Sequence, residues 1–81
     1  MKEIENEINE LEEQLKKKED ELSRSGNLNS YKQGEINNRL RDIKWLESRF
    51  EDRERNPAHR NTVLKNFKGE AKRIKNDIEK I

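Results

Sequence analysis

Apolar residues recur along this chain at alternating intervals of three and four positions. The first run of this spacing consists of Ile4, Ile8, Leu11, Leu15 and Leu22. Lys18 occupies the one position of the run where a further apolar residue is expected. The spacing places these side chains on one side of an α-helix, in the seam typical of coiled coils. It predicts a first amphipathic helix over about residues 2–24.

A segment of small and polar residues separates this run from the next. Gly26 suits the left-handed backbone conformation that ends a helix, and Ser30 followed by Gln33 matches a capping box at a helix start. The next seam residues are Ile36, Leu40, Ile43 and Phe50, with Leu46 beside them and Glu47 at the missing position. They predict a second helix over about residues 30–55.

A third helix is predicted from the corner formed by Asn56 and Pro57 to the end of the chain, over about residues 57–81. Its unbroken seam consists of Leu64, Phe67, Ala71, Ile74, Ile78 and Ile81. The three seams do not share one heptad frame, which favours three separate helices over one long rod. A second helix that continues through Pro57 with a kink is the alternative.

The fold predicted from this pattern is all-α. Two to three amphipathic helices form a coiled-coil-like hairpin or a three-helix bundle within a single domain, residues 1–81. Only 27% of the residues are hydrophobic whereas 46% are charged, so a lone bundle has a thin core. We therefore expect a homo-oligomer, or a bundle that completes its core against a partner. A monomeric three-helix bundle is the alternative.

Charge is sorted along the chain. The net charge is −5 over residues 1–22, +1 over residues 23–52 and +5 over residues 53–81. One interpretation is internal: the acidic first helix lies beside the basic third helix, and the charges that flank the seams select this pairing. The other interpretation is external, with the basic segment facing an acidic partner. We favour the internal interpretation.

Several classes of function are excluded by what the sequence lacks. There is no cysteine, and a lone histidine, His59, has no second metal ligand or catalytic partner in a recognisable motif. We expect no cofactor and no enzymatic activity. The longest apolar runs are two residues long, Trp45-Leu46 and Val63-Leu64, so neither a membrane span nor a secretory signal is predicted. A cytoplasmic protein is the expectation.

Trp45 stands apart from the seams. At 100° per residue it lies about 180° from Ile36, so the stripe that buries the other apolar residues of the second helix cannot bury the indole. Tryptophan and arginine are enriched at interface hot spots. The predicted partner-binding strip consists of Tyr31, Asn38, Arg41, Trp45 and Arg49. Packing of Trp45 against another helix or a second subunit, as ordinary core, is the alternative.

A second candidate surface is basic. It consists of Arg53, Arg55, His59, Arg60, Lys65, Lys68 and Lys72. Lysine and arginine gathered on one surface bind phosphate groups or an acidic protein. Direct binding of nucleic acid is the less favoured of the two, because the one aromatic residue of this basic segment, Phe67, lies on the seam and the pI is only about 8.0.

The function predicted from these features is that of a small helical protein-protein interaction module. Acting as an adaptor or inhibitor, it binds or occludes a larger protein. The abundance of Lys, Asn, Ile and Glu, whose codons are AT-rich, favours a low-GC bacterial or phage origin. With a nucleic-acid-processing enzyme as the target, the acidic first helix would mimic phosphate groups and the basic corner would hold an acidic loop. The alternatives are a nucleic-acid-binding protein that uses the segment from Arg53 to Lys75, and a structural scaffold or assembly subunit.

Overall fold

The computed structural model describes residues 3–51, 53 and 58–81. It contains three α-helices, α1 (Glu3–Arg24), α2 (Ser30–Phe50) and α3 (Arg60–Glu79). The described residues contain no β-strand. The all-α prediction is confirmed.

The turn between α1 and α2 closes around Gly26. This glycine has a φ of 76°, in the left-handed region that its missing Cβ makes accessible. The backbone N–H groups of Asn27 and Leu28 both donate to the carbonyl oxygen of Leu22, at 2.9 and 3.1 Å. The carbonyl at the end of α1 is thereby satisfied, and the short turn returns the chain alongside α1.

The predicted capping box at the start of α2 is wrong. Asn29, not Ser30, is the N-cap: its side-chain oxygen accepts a 2.8 Å hydrogen bond from the backbone N–H of Lys32. The Gln33 side chain instead donates to Oε2 of Glu19 on α1, at 3.1 Å. Gln33 therefore joins the first turn of α2 to the last turns of α1.

The second helix is shorter than predicted. It ends at Phe50 rather than at about residue 55, and Glu51 is its C-cap, with a backbone N–H that donates to the carbonyl of Glu47. The predicted start of the third helix, at Asn56 and Pro57, lies outside the described residues, and α3 is described from Arg60. In the part of the chain that is described, α2 and α3 are separate helices.

Each helix packs against the other two, and all three share one apolar core. Every helix contributes four residues to it. They are Ile4, Ile8, Leu11 and Leu15 of α1, Ile36, Ile43, Leu46 and Phe50 of α2, and Phe67, Ala71, Ile74 and Ile78 of α3. The rings of Phe50 and Phe67 meet edge to face with centroids 5.7 Å apart. The core runs along a molecule of 49 × 17 × 17 Å.

The seam predicted for α2 is wrong at Leu40. This side chain is 38% exposed, whereas Leu46, placed only beside the predicted seam, is fully buried. The two residues lie about 120° apart around the helix. Because α2 contacts both α1 and α3, its buried side is turned towards Leu46, which leaves Leu40 at the edge of the contact with α1.

The two leucines give a matched test of this packing. We expect Leu46→Ala to lower the free energy of unfolding by about 2–5 kcal/mol, because it empties a fully buried site. Leu40→Ala removes the same atoms from a partly exposed site, and we expect a loss of less than about 1 kcal/mol. Chemical denaturation followed by circular dichroism measures both. Equal losses would contradict the assigned rotation of α2.

Candidate functional site

The five residues of the predicted binding strip lie on the exposed side of α2. Tyr31 is 73% exposed and Trp45 is 50% exposed. Asn38, Arg41 and Arg49 are exposed as well. At 100° per residue the five fall within a sector of roughly 80°. We call this set, Tyr31, Asn38, Arg41, Trp45 and Arg49, the Trp45 surface.

The indole of Trp45 is held by a neighbouring guanidinium. The Arg49 guanidinium carbon lies 5.0 Å from the centroid of the indole and 5.3 Å from the centroid of the Phe50 ring. Phe50 is part of the core, so Arg49 links the exposed ring to a fixed one. Among the described residues no carboxylate pairs with Arg49. The guanidinium lies within the distance of a cation–π contact with the indole.

Trp45 also borders a groove between α2 and α3, which we call the α2–α3 groove. The groove has a volume of about 520 Å³. Its lining consists of Arg39, Asp42, Trp45, Glu70, Arg73, Ile74 and Asp77. Apart from Trp45, none of these residues belongs to the predicted strip. A planar aromatic wall therefore stands beside a groove lined mainly by charged side chains.

Arg39 lines the groove but is absent from the strip predicted from the sequence. Its side chain is only 21% exposed, and its Nη1 donates to Oδ2 of Asp77 at 2.9 Å and lies 3.4 Å from Oδ2 of Asp42. Its Nε is buried and has no hydrogen-bond partner in the part of the chain that the structure describes. The available signal was its spacing: Arg39 lies three residues after Ile36 and four before Ile43, on the buried stripe of α2.

The predicted basic surface lies on a different side of the molecule. The side chains of Lys65, Lys68 and Lys72 are exposed and lie within a sector of roughly 60° on α3. Lys68 and Lys72 each lie about 160° around the helix from Glu70, which lines the α2–α3 groove. The structure thus separates these lysines from the α2–α3 groove. The Nζ of Lys68 lies 3.7 Å from Oε1 of Glu3, in an exposed pair that joins the basic α3 to the acidic α1.

The structure describes three further members of the predicted basic surface. Arg53 and His59 are exposed, and Arg60 is half-buried, with a buried Nε that has no hydrogen-bond partner among the described residues. Arg55 lies outside the described residues. Within the described ranges, no group of three or more histidine or acidic side chains is arranged to hold a metal ion. None of the helices there is long and apolar enough to cross a membrane.

No protein-family model, curated protein or solved structure matches this chain. The arrangement of residues on its own surfaces therefore carries the functional inference. Of these surfaces, the Trp45 surface combines an exposed aromatic ring, a guanidinium held against it and an adjoining groove.

The contacts of Arg39 with Asp42 and Asp77 lead to a prediction about the folding stability of the protein. We expect Asp77→Asn to lower the free energy of unfolding by about 1–2 kcal/mol, since it weakens a charge-assisted hydrogen bond to a mostly buried guanidinium. Asp20→Asn is the control, because the Asp20–Arg24 pair is exposed and we expect less than about 0.5 kcal/mol from it. Urea denaturation of both variants measures the difference. Equal effects would show that Arg39 does not anchor α3 to α2.

Proposed function

We propose that this protein is a small helical interaction module that binds an acidic segment of a larger protein through the Trp45 surface. The observation that carries the proposal is the half-exposed indole of Trp45 with the Arg49 guanidinium stacked over it. Large apolar rings left in water are costly unless a partner covers them, and Trp and Arg dominate interface hot spots. In this role the protein acts as an adaptor or inhibitor of its target.

The charges around Trp45 support an acidic partner. Arg41, Arg49 and Arg73 have no carboxylate partner among the described residues. Two of the groove carboxylates, those of Asp42 and Asp77, share the one guanidinium of Arg39. Counted over the Trp45 surface and the groove together, the four guanidinium groups of Arg39, Arg41, Arg49 and Arg73 face three carboxylates, which gives a net charge of +1. A segment that brings carboxylates beside an apolar side chain would match it.

We further propose that the three helices form a three-helix bundle that associates with copies of itself. The support is the shared core, in which every helix contacts both others, together with the low hydrophobic content of 27%. Arg39 near the middle of α2 contacts Asp77 near the end of α3, whereas Phe50 at the end of α2 contacts Phe67. With these contacts α2 and α3 are antiparallel, as neighbouring helices of a bundle are.

The test of partner binding is Trp45→Ala. Wild type and variant are immobilised, exposed to a lysate of the source cells, and the retained proteins are quantified by mass spectrometry. We then expect a protein retained by wild type to bind purified Trp45→Ala at least about 30-fold more weakly, the loss typical of a hot-spot residue. Because the indole is half-exposed, we expect the helical circular dichroism signal and the unfolding midpoint to change little.

Lys72→Ala is the matched control, because Lys72 is exposed on α3 away from the groove, and we expect it to bind like wild type. Equal binding by Trp45→Ala would contradict the proposal. Unfolding of Trp45→Ala would instead show that the indole is structural. Self-association with no foreign protein retained would favour an assembly subunit over an adaptor.

Nucleic-acid binding is the second candidate, and the observation that favours it is the exposed row of Lys65, Lys68 and Lys72. Fluorescence anisotropy with single- and double-stranded oligonucleotides at low salt tests it. On the protein-interaction proposal we expect no binding. Salt-sensitive binding that is lost when the three lysines are changed to alanine, and retained by Trp45→Ala, would establish the second candidate in its place.

A further inference from the structure

A second groove lies between α1 and α2, away from the Trp45 surface. Its volume is about 390 Å³, and its lining consists of Glu12, Leu15, Lys16, Glu19, Ile36, Leu40 and Lys44. We call it the α1–α2 groove. At 100° per residue Leu40 lies about 140° around α2 from Trp45 and about 180° from Tyr31. The two surfaces of α2 are therefore independent.

The centre of the α1–α2 groove is apolar. Leu40 is 38% exposed, and the buried side chains of Leu15 and Ile36 lie in the same groove. Leu40 follows Ile36 by one helical turn, at a seam position of the heptad pattern. The chain's own helices thus leave one seam position open to solvent.

The rim of the groove is balanced in charge. On the α1 side it carries Glu12, Lys16 and Glu19, with a net charge of −1, and on the α2 side it carries Lys44. In the described part of the chain, none of these four groups forms an ion pair. A surface with an acidic edge along one helix and a basic edge along the next is complementary to itself when the two-fold axis runs parallel to the helices, because that axis places each edge against the opposite one. The Trp45 surface, with its excess of guanidinium groups, lacks this property.

We infer that a second copy of this chain docks on the α1–α2 groove. In the dimer, α1 of each copy lies over α2 of the other, the two Leu40 side chains pack together at the centre, and Glu12 of each copy pairs with Lys44 of its partner. The interface is isologous, so it closes at two copies. A face of the molecule 49 Å long and 17 Å wide is large enough to supply the roughly 800 Å² per partner of a standard interface.

Leu40→Glu tests the docking surface, because it places a charge at the centre of the interface on a side chain that the folded chain leaves partly exposed. Sedimentation equilibrium over a wide concentration range should show a concentration-dependent dimer for wild type. For Leu40→Glu we expect a dimer dissociation constant at least about 30-fold higher, as for loss of a hot spot. Asn66→Glu is the control: it adds the same charge at an exposed position of α3, outside the α1–α2 groove, and we expect the wild-type constant.

Charge reversal identifies the occupant as a second copy. Glu12→Lys and Lys44→Glu each place like charges together twice in a symmetric dimer, so we expect each variant alone to dimerise more weakly. An equimolar mixture of the two variants restores both opposite-charge contacts, and we expect it to dimerise almost as tightly as wild type. Repulsion within one chain would not be relieved by mixing.

Three results would overturn the inference. They are a wild-type mass that stays monomeric at every concentration, a Leu40→Glu variant that dimerises like wild type, and a mixture no tighter than its components. The inference rests on the self-association proposed above, which a Leu40→Glu variant that dimerises like wild type would leave standing, and it fails separately from the proposed binding of a foreign protein. If Leu40→Glu loses the dimer but still binds a foreign protein, the proposed role of the Trp45 surface stands. We expect the opposite of Trp45→Ala, which should lose the foreign protein and keep the dimer.

Discussion

The rotation of α2 about its own axis is the constraint on which the other features of this molecule depend. Ile43 and Leu46 fix it, because both are fully buried where α2 meets α1 and α3. Once these two side chains face the core, Trp45 must point outward and Leu40 must lie at the edge next to α1. The rotation of α2 in a small core thus exposes two surfaces of different chemistry, the Trp45 surface and the α1–α2 groove.

Charge has a smaller part in holding the helices together than the sorted sequence predicts. Among the described residues a single exposed pair, Glu3 with Lys68 at 3.7 Å, joins the acidic α1 to the basic α3. Exposed pairs of this kind contribute little stability. The stronger contact is that of Arg39 with Asp77, between α2 and α3, where burial strengthens the hydrogen bond. In the described ranges, most of the charged side chains of α1 and α3 form no ion pair with another helix.

Features that depend on a single helix could be predicted from the sequence. Features that depend on how the helices pack against each other could not. The α1 residues Ile4 to Leu15 were predicted from spacing alone, and so was the outward position of Trp45, which holds for any small rotation of α2. The choice between Leu40 and Leu46 was not predictable, because both flank Ile43 and only the positions of α1 and α3 decide which is covered. Arg39 was missed for the same reason: its partner Asp77 is 38 residues away.

The proposed function requires that Trp45 is open in the free protein and becomes covered by a partner protein. Hydroxyl-radical footprinting with mass spectrometry measures this on the unmodified chain, with the oxidation of Trp45 expressed relative to that of the exposed His59. We expect strong oxidation of Trp45 in the purified protein and a several-fold lower ratio in a lysate of the source cells. A Trp45 that is unreactive in the purified protein, or a ratio that does not change in the lysate, would contradict it.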